Sequence, residues 1–252
     1  MMKMILHIPH SSSKIPMYKG FTVGKEILER EIIKLTDWYT DELFLIEDSI
    51  TIRADFSRIF CDTERFSEDS EEIMSKYGMG VLYEKSDDGS VIREVNPKLR
   101  KEILDSYYWP HHQRLNQAVE EQIESYGQAL IVDCHSFPSK PLIRDLNKEE
   151  NRPDFNIGTD TYHTPPYLIE SSQEFFKEKG YSLGIDWPYN GSIVPLNHYQ
   201  KSKNVQSIML EVNRALYLNE PGNQKSENYI KVKQIVTEYL NMLNETRKDL
   251  QK

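Results

Sequence analysis

Asp133-Cys134-His135-Ser136 closes the apolar run Ala129-Leu130-Ile131-Val132 with an acid, an imidazole and a hydroxyl. A short run rich in branched residues reads as a buried strand. Side chains alternate along a strand, so Asp133 and His135 share a face. An imidazole with a carboxylate beside it can be fixed in a metal-binding tautomer; a core histidine at a strand end would use the same residues. Met4-Ile5-Leu6-His7-Ile8 is a similar run, and His10 follows it in Pro9-His10-Ser11-Ser12-Ser13. Another, Ser207-Ile208-Met209-Leu210, runs into Glu211. Ligands of α/β proteins sit at the carboxyl ends of strands. Strands that each deliver a His or Glu there point to one shared site. Zinc hydrolases use this vocabulary: His, Asp and Glu ligands, with a separate carboxylate handling protons.

The elements that must position these groups alternate between helix and strand. Lys25–Leu35 and Trp38–Glu47 read as helices, and Ile50–Ala54 and Arg58–Cys61 as strands. Glu68–Val95 is a polar excursion without a clear period. Asn96–Ser125 is a helical tract that Pro110 should kink. Ser139–Pro166 and Asp186–His198 read as loops, Ser171–Lys179 as a helix, and Asn228–Leu250 as a closing amphipathic helix. Such alternation predicts an α/β fold, a parallel or mixed sheet flanked by helices. No repeat or linker divides the chain, so one domain is expected over residues 1–252.

Further residues allow chemistry without demanding it. Arg58 and Arg65 flank an apolar stretch; arginines beside a metal can bind a carboxylate or stabilise an oxyanion. Asp62 and Glu64 between them would instead make a neutral surface cluster. Asp37 precedes a helical pattern, where capping competes with metal ligation. His111 and His112 are neighbours on one helix and do not share a face, so at most one points inward. His7 is expected to be a packed or hydrogen-bonded core residue. His163 and His198 lie in loops from which a substrate is reachable.

Composition bounds the partners. With 252 residues the chain can bury a substantial core. A net charge of -9 without a basic cluster argues against nucleic acid. No apolar run approaches the roughly 20 residues of a membrane span, and the N-terminus lacks a signal-peptide pattern, so a cytoplasmic enzyme is expected. The two cysteines, Cys61 and Cys134, sit in apolar contexts that predict buried free thiols. Oligomeric state leaves no mark on the sequence.

Taken together, these stretches resemble the N-formylglutamate amidohydrolase family. The resemblance runs through Pro9-His10-Ser11 with Ile15-Pro16, Thr36-Asp37-Trp38 with Leu43-Phe44, Ser57-Arg58 with Asp62 and Arg65, and Tyr108-Trp109-Pro110-His111-His112 with Leu115. It continues through Asp133–Ser136, Pro153-Asp154 with Asn156 and Ile157-Gly158-Thr159, and Leu210-Glu211 with Tyr217. It implies the phosphorylase/hydrolase-like α/β fold shared with zinc carboxypeptidases and aspartoacylase. It also implies one divalent metal, zinc, held by His10 and His135. Asp37 is the expected third ligand and Asp62 its competitor, because Ser13 stands where carboxypeptidases have the Glu of a His-x-x-Glu pair. Glu211 would be the general base, Arg58 the oxyanion stabiliser and Arg65 the holder of a substrate carboxylate; Glu64, Asn156 and His198 would line the substrate site. The implied reaction is hydrolysis of an N-acyl amino acid, foremost N-formyl-L-glutamate to formate and L-glutamate. A carboxypeptidase, a peptidoglycan-type amidase or a non-catalytic binding protein on the same fold are the alternatives. Glu64 stands where the family has Asn, and Phe66 where it has Pro. A Glu there would repel a second carboxylate or neutralise Arg65.

Overall fold

A computed structural model describes residues 2–249. Its centre is a six-stranded sheet in the order β2-β1-β3-β6-β4-β5, formed by β1 (Met4–Ile8), β2 (Ser49–Arg53), β3 (Ala129–Phe137), β4 (Phe155–Gly158), β5 (Leu183–Ile185) and β6 (Val205–Asn213). All neighbours run parallel except β4 and β6. The sheet is therefore mixed, as expected. The helices are α1 (Lys25–Leu35), α2 (Thr40–Leu43), α3 (Pro97–Ile103), α4 (Trp109–Tyr126), α5 (Pro166–Lys179) and α6 (Tyr229–Asp249). Leu250 lies outside the described residues.

Alternation sorts the central strands into two faces. Leu6, Val132, Leu210 and Val212 join Phe176, Tyr239 and Leu240 of α5 and α6 in the largest core. Ile5, Ala129 and Ile131 turn the other way, onto Leu115, Ala118 and Val119 of α4. Asp133 and His135 continue the face of Ile131 beyond the reach of that apolar packing. In the register of parallel strands, His7 stands opposite Asp133 and Glu211 opposite His135. Towards the carboxyl ends of β1, β3 and β6, one face thus changes from apolar to ionisable. This is also where the chain departs to opposite sides of β1, the place where open α/β sheets leave a crevice.

Several sequence expectations are corrected. Arg58–Cys61 is a turn, with the Phe60 and Cys61 amides donating to Ser57 O. Ile59 and Phe60 are buried because they enter two different clusters, not because they alternate on a sheet. The helix expected at Trp38–Glu47 shrinks to Thr40–Leu43. Leu104–Tyr108 winds as a π-helix just before Pro110, which occupies the first turn of α4. There the missing amide costs no hydrogen bond, so the tract widens instead of breaking. β4 and β5 fall inside or beside segments expected to be loops, and α5 starts at Pro166, before Ser171. The strands of His135 and Glu211 run on past both residues, which lie within the sheet edge. Cys61 and Cys134 are buried and free. No described helix is long and apolar enough to cross a membrane.

Leu240 of α6 is fully buried in the largest core. Leu240→Ala should cost about 2–5 kcal/mol, read as a lower urea midpoint with unchanged slope.

Candidate active site

Asp37 organises the site from a loop. It directly follows α1, and its amide donates to His10 O at 3.0 Å, tying the end of α1 to the segment after β1. The helix it was expected to cap begins at Thr40 with Tyr39 at the cap and no capping side chain. Freed from capping, the Asp37 carboxylate points inward. Its Oδ2 lies 3.3 Å from His135 Nδ1 and 3.7 Å from His10 Nδ1. Its Oδ1 accepts from Arg214 Nη2 at 2.7 Å.

The far nitrogens of both imidazoles are also taken by carboxylates. His10 Nε2 donates to Asp62 Oδ1 at 2.7 Å, and His135 Nε2 donates to Asp133 Oδ1 at 3.0 Å. His10 Nδ1, buried, has no hydrogen-bond partner. The ligand atoms of His10, Asp37 and His135 all lie within 4.8 Å of one another. Tetrahedral zinc with bonds of about 2.0–2.1 Å separates its ligand atoms by about 3.3 Å, so these spacings fit a divalent cation with little adjustment. The donor chemistry fits as well, because a carboxylate on the far nitrogen directs the lone pair of the near one inward. Asp62, the competing third ligand, is on the far side of the His10 ring and serves as that outer carboxylate.

Charge is balanced pairwise in this buried space. Burial works against the Asp37 carboxylate, but His10, His135 and Arg214 outweigh it and hold its pKa well below the ordinary range. Burial likewise opposes a charged His135, yet Asp133 and Asp37 keep its pKa well above that of a free imidazole. Glu211 behaves differently. Burial, with Asp37 adding to it, pushes its pKa up to about 8 against the pull of His135, Arg214 and Arg58. Its Oε2 is buried without a partner. Glu211 does not pair closely with Arg214, which spends its guanidinium on Asp37, Ser136 and Lys34 O.

A cavity of about 230 Å³ opens over this centre, lined by His10, Asp37, His135 and Glu211 together with Arg58, Glu64, Arg65, Arg144 and Arg214. Arg58 and Arg65 therefore face the site and not bulk solvent. Arg58 donates from Nε and Nη2 to Asp62 Oδ2, and Tyr83 Oη donates to the same oxygen. Arg65 makes only long ion pairs, 3.7 Å to Asp62 and 3.8 Å to Glu72, and its Nε has no hydrogen-bond partner. One wall comes from the polar excursion, including Met74, Met79 and Tyr83. Arg144 clasps that wall, donating to Asp87 O and Tyr77 O while its own amide donates to Asp87 Oδ1.

Other expected residues do not reach the cavity. Asn156 is fully buried and spends its amide on the backbone of Trp187 and Tyr189. It holds β4 against the following loop and is not placed for substrate. His198 lies outside the cavity lining, with Nδ1 3.2 Å from Ser202 Oγ. Both ring nitrogens of His163 meet backbone groups. Of the neighbouring pair on α4, His111 points inward, but onto His7. Tyr83, Arg144 and Arg214 were missed as site residues. No local pattern marks the first two; the signal for Arg214 is its place three residues past Glu211, just beyond β6.

The family model for N-formylglutamate amidohydrolase matches residues 2–218. The chain belongs to that family. The N-formylglutamate deformylase of Pseudomonas putida is 25% identical over 195 residues, covering 73% of this chain and 71% of that one. The crystal structure of N-formylglutamate amidohydrolase from Ralstonia eutropha JMP134 superposes with a TM-score of 0.85 at 20% identity, covering 98% of this chain and 95% of that one. A gene product of Agrobacterium tumefaciens superposes at 0.64 with 14% identity, covering 96% and 92%. At these identities the superpositions establish the α/β fold.

The site makes metal-free stability depend on pH. His7 (about 9), His135 (raised) and Glu211 (about 8) all hold protons more tightly folded than unfolded. Above pH 6.5 the folded chain binds more of these protons than the unfolded one, so their contribution falls as pH rises towards 9. His111 and His112, whose pKa values burial lowers, act oppositely but only below about 6.5. Chelator-treated protein should therefore lose stability between pH 6.5 and 9 in urea titrations. A flat or rising profile would contradict these assignments.

Proposed function

We propose that this family member is a zinc-dependent hydrolase of N-acyl amino acids, with N-formyl-L-glutamate as the leading substrate and formate and L-glutamate as products. The observation that carries the proposal is the convergence of His10 Nδ1, Asp37 Oδ2 and His135 Nδ1, with Glu211 lining the same small cavity. Zinc held by these atoms supplies a Lewis acid and lowers the pKa of water at the site. Glu211 takes the proton of the attacking water and returns it to the leaving amine nitrogen. Burial suits it to this task by raising its pKa, and a nearby cation draws the value back towards neutrality. Arg58, oriented by Asp62 and Tyr83, donates to the acyl oxygen as negative charge develops there. Arg65, without a close carboxylate of its own, binds the substrate carboxylate.

The cavity volume of about 230 Å³ favours a small acyl amino acid over the peptide or glycan strand of the rival readings. A carboxylate-bearing substrate also agrees with the arginines of the lining. The P. putida relative is named for deformylation of N-formylglutamate, which makes that compound the first to assay. A cytoplasmic location agrees with the lack of any membrane-spanning helix among the described residues.

Glu211→Gln keeps size and polarity but removes the base. The variant should fold, retain zinc, and lose at least roughly 100-fold in kcat. Near-normal turnover in the zinc-loaded variant would exclude Glu211 as the base, and activity undiminished after chelation would exclude the metal. The two arginines should separate kinetically. Arg65→Ala should mainly raise KM and Arg58→Ala mainly lower kcat, since one contact forms in the ground state and the other in the transition state. A reversed pattern in steady-state kinetics would exchange their roles.

A further inference from the structure

Glu64 and Arg65 are adjacent in the chain and both line the cavity. Opposite charges so placed would ordinarily neutralise each other, and a carboxylate at the wall would repel an anionic substrate. Here the two do not pair with each other. Arg65 pairs at long range with Asp62 and Glu72, while Glu64 Oε1 lies 3.1 Å from His7 Nδ1. We propose that His7 is a positioning residue that supplies the counter-charge of Glu64, holding that carboxylate off Arg65 and so leaving Arg65 free for the carboxylate of the substrate. The proposal rests on Arg65 being the carboxylate anchor.

His7 is fully buried on β1. Its Nδ1 donates to Asp133 Oδ1 at 2.8 Å, and its Nε2 lies 2.8 Å from His111 Nε2. Burial and the neighbouring His7 and His112 rings push the pKa of His111 well below its ordinary value, so His111 is neutral. With its proton on Nδ1, a neutral His111 would present Nε2 as an acceptor, and a charged His7 would then donate from both ring nitrogens. Burial alone would discourage that charge, but Asp133 and Glu64 overcome it and raise the pKa of His7 to about 9. Asp133 lies between His135 and His7, and Glu64 sits against the same His7 nitrogen as Asp133. A neutral residue at position 7 would leave Glu64 as an uncompensated negative charge at the wall where the substrate carboxylate docks.

The test compares zinc-loaded wild type, His7→Asn and the double variant His7→Asn/Glu64→Gln, assayed on N-formyl-L-glutamate. His7→Asn should raise KM at least roughly tenfold, the lower end of what one uncompensated charge at such range does, and change kcat by no more than about threefold. The double variant should recover most of the lost KM. An unchanged KM in folded His7→Asn, or a double variant no better than the single, would overturn the proposal. Should His7→Asn not fold, ring-nitrogen NMR of the wild type at pH 7.5 decides: both His7 nitrogens protonated is expected, and a neutral ring overturns the idea. A parallel assay on the formamide of a simple alkylamine separates the two levels of argument. If wild type handles it as well as N-formyl-L-glutamate, the anchor role of Arg65 fails. If wild type prefers the carboxylate-bearing substrate but His7→Asn does not alter KM, only the role of His7 fails.

Discussion

The buried carboxylate of Asp37 is the constraint on which the rest of this molecule turns. It reaches two imidazoles, one just past β1 and one on β3, with one oxygen and a guanidinium from beyond β6 with the other. A buried carboxylate is tolerable only if it is paired and hydrogen-bonded. Here the pairing fixes geometry as well as charge: His10, His135 and Arg214 come from three separated stretches and cannot drift apart without stranding the acid. The backbone joins in, since the Asp37 amide and the Ser136 amide, 3.3 Å from Asp37 Oδ2, tie the loop to both neighbouring strand ends. The sheet gives His10 and His135 their approximate places, and Asp37 draws them to one point.

Around that point the protein repeats one solution. Every imidazole on the ionisable face has a carboxylate on its outer nitrogen or beside it: Asp62 for His10, Asp133 for His135, Asp133 and Glu64 for His7. Asp133 serves two rings because the parallel register puts it opposite His7 while strand alternation puts it beside His135. Glu211 is the exception, a buried acid without a cation of its own, whose pKa burial pushes up to about 8.

Much of this was legible in the sequence. Apolar runs ending in His or Glu located the central strands, and alternation gave the shared face of Asp133 and His135. The amphipathic pattern found the last helix. What stayed hidden was tertiary. Asp37 reads as a helix cap because the local pattern favours capping, and only the contact with His10 O shows why its carboxylate turns inward. Ile59-Phe60-Cys61 looks like a strand because three buried side chains in a row carry no record of facing different clusters. The family resemblance places Asn156 and His198 at the substrate site, but the Asn156 amide satisfies backbone groups and His198 sits outside the cavity. Tyr83 lies in a stretch with no period at all, and its role depends on an Asp brought to it by folding.

The wall opposite the sheet has a different character from the ligand set. It is assembled from two surface segments joined by Arg144, and its turn needs glycine: Gly89 has φ +91, and a Cβ there would have to displace the Arg144 guanidinium. Yet none of Tyr77, Asp87 or Arg144 contacts His10, His135 or Glu211 through the hydrogen bonds that set their charge. The fold therefore separates two inheritances. His10, Asp37 and His135 are locked to the sheet and to one another, while Arg144, Asp87 and Tyr77 form a rim fastened by hydrogen bonds of its own. Changes at that rim can reshape the cavity wall and leave the contacts of the three buried groups as they are.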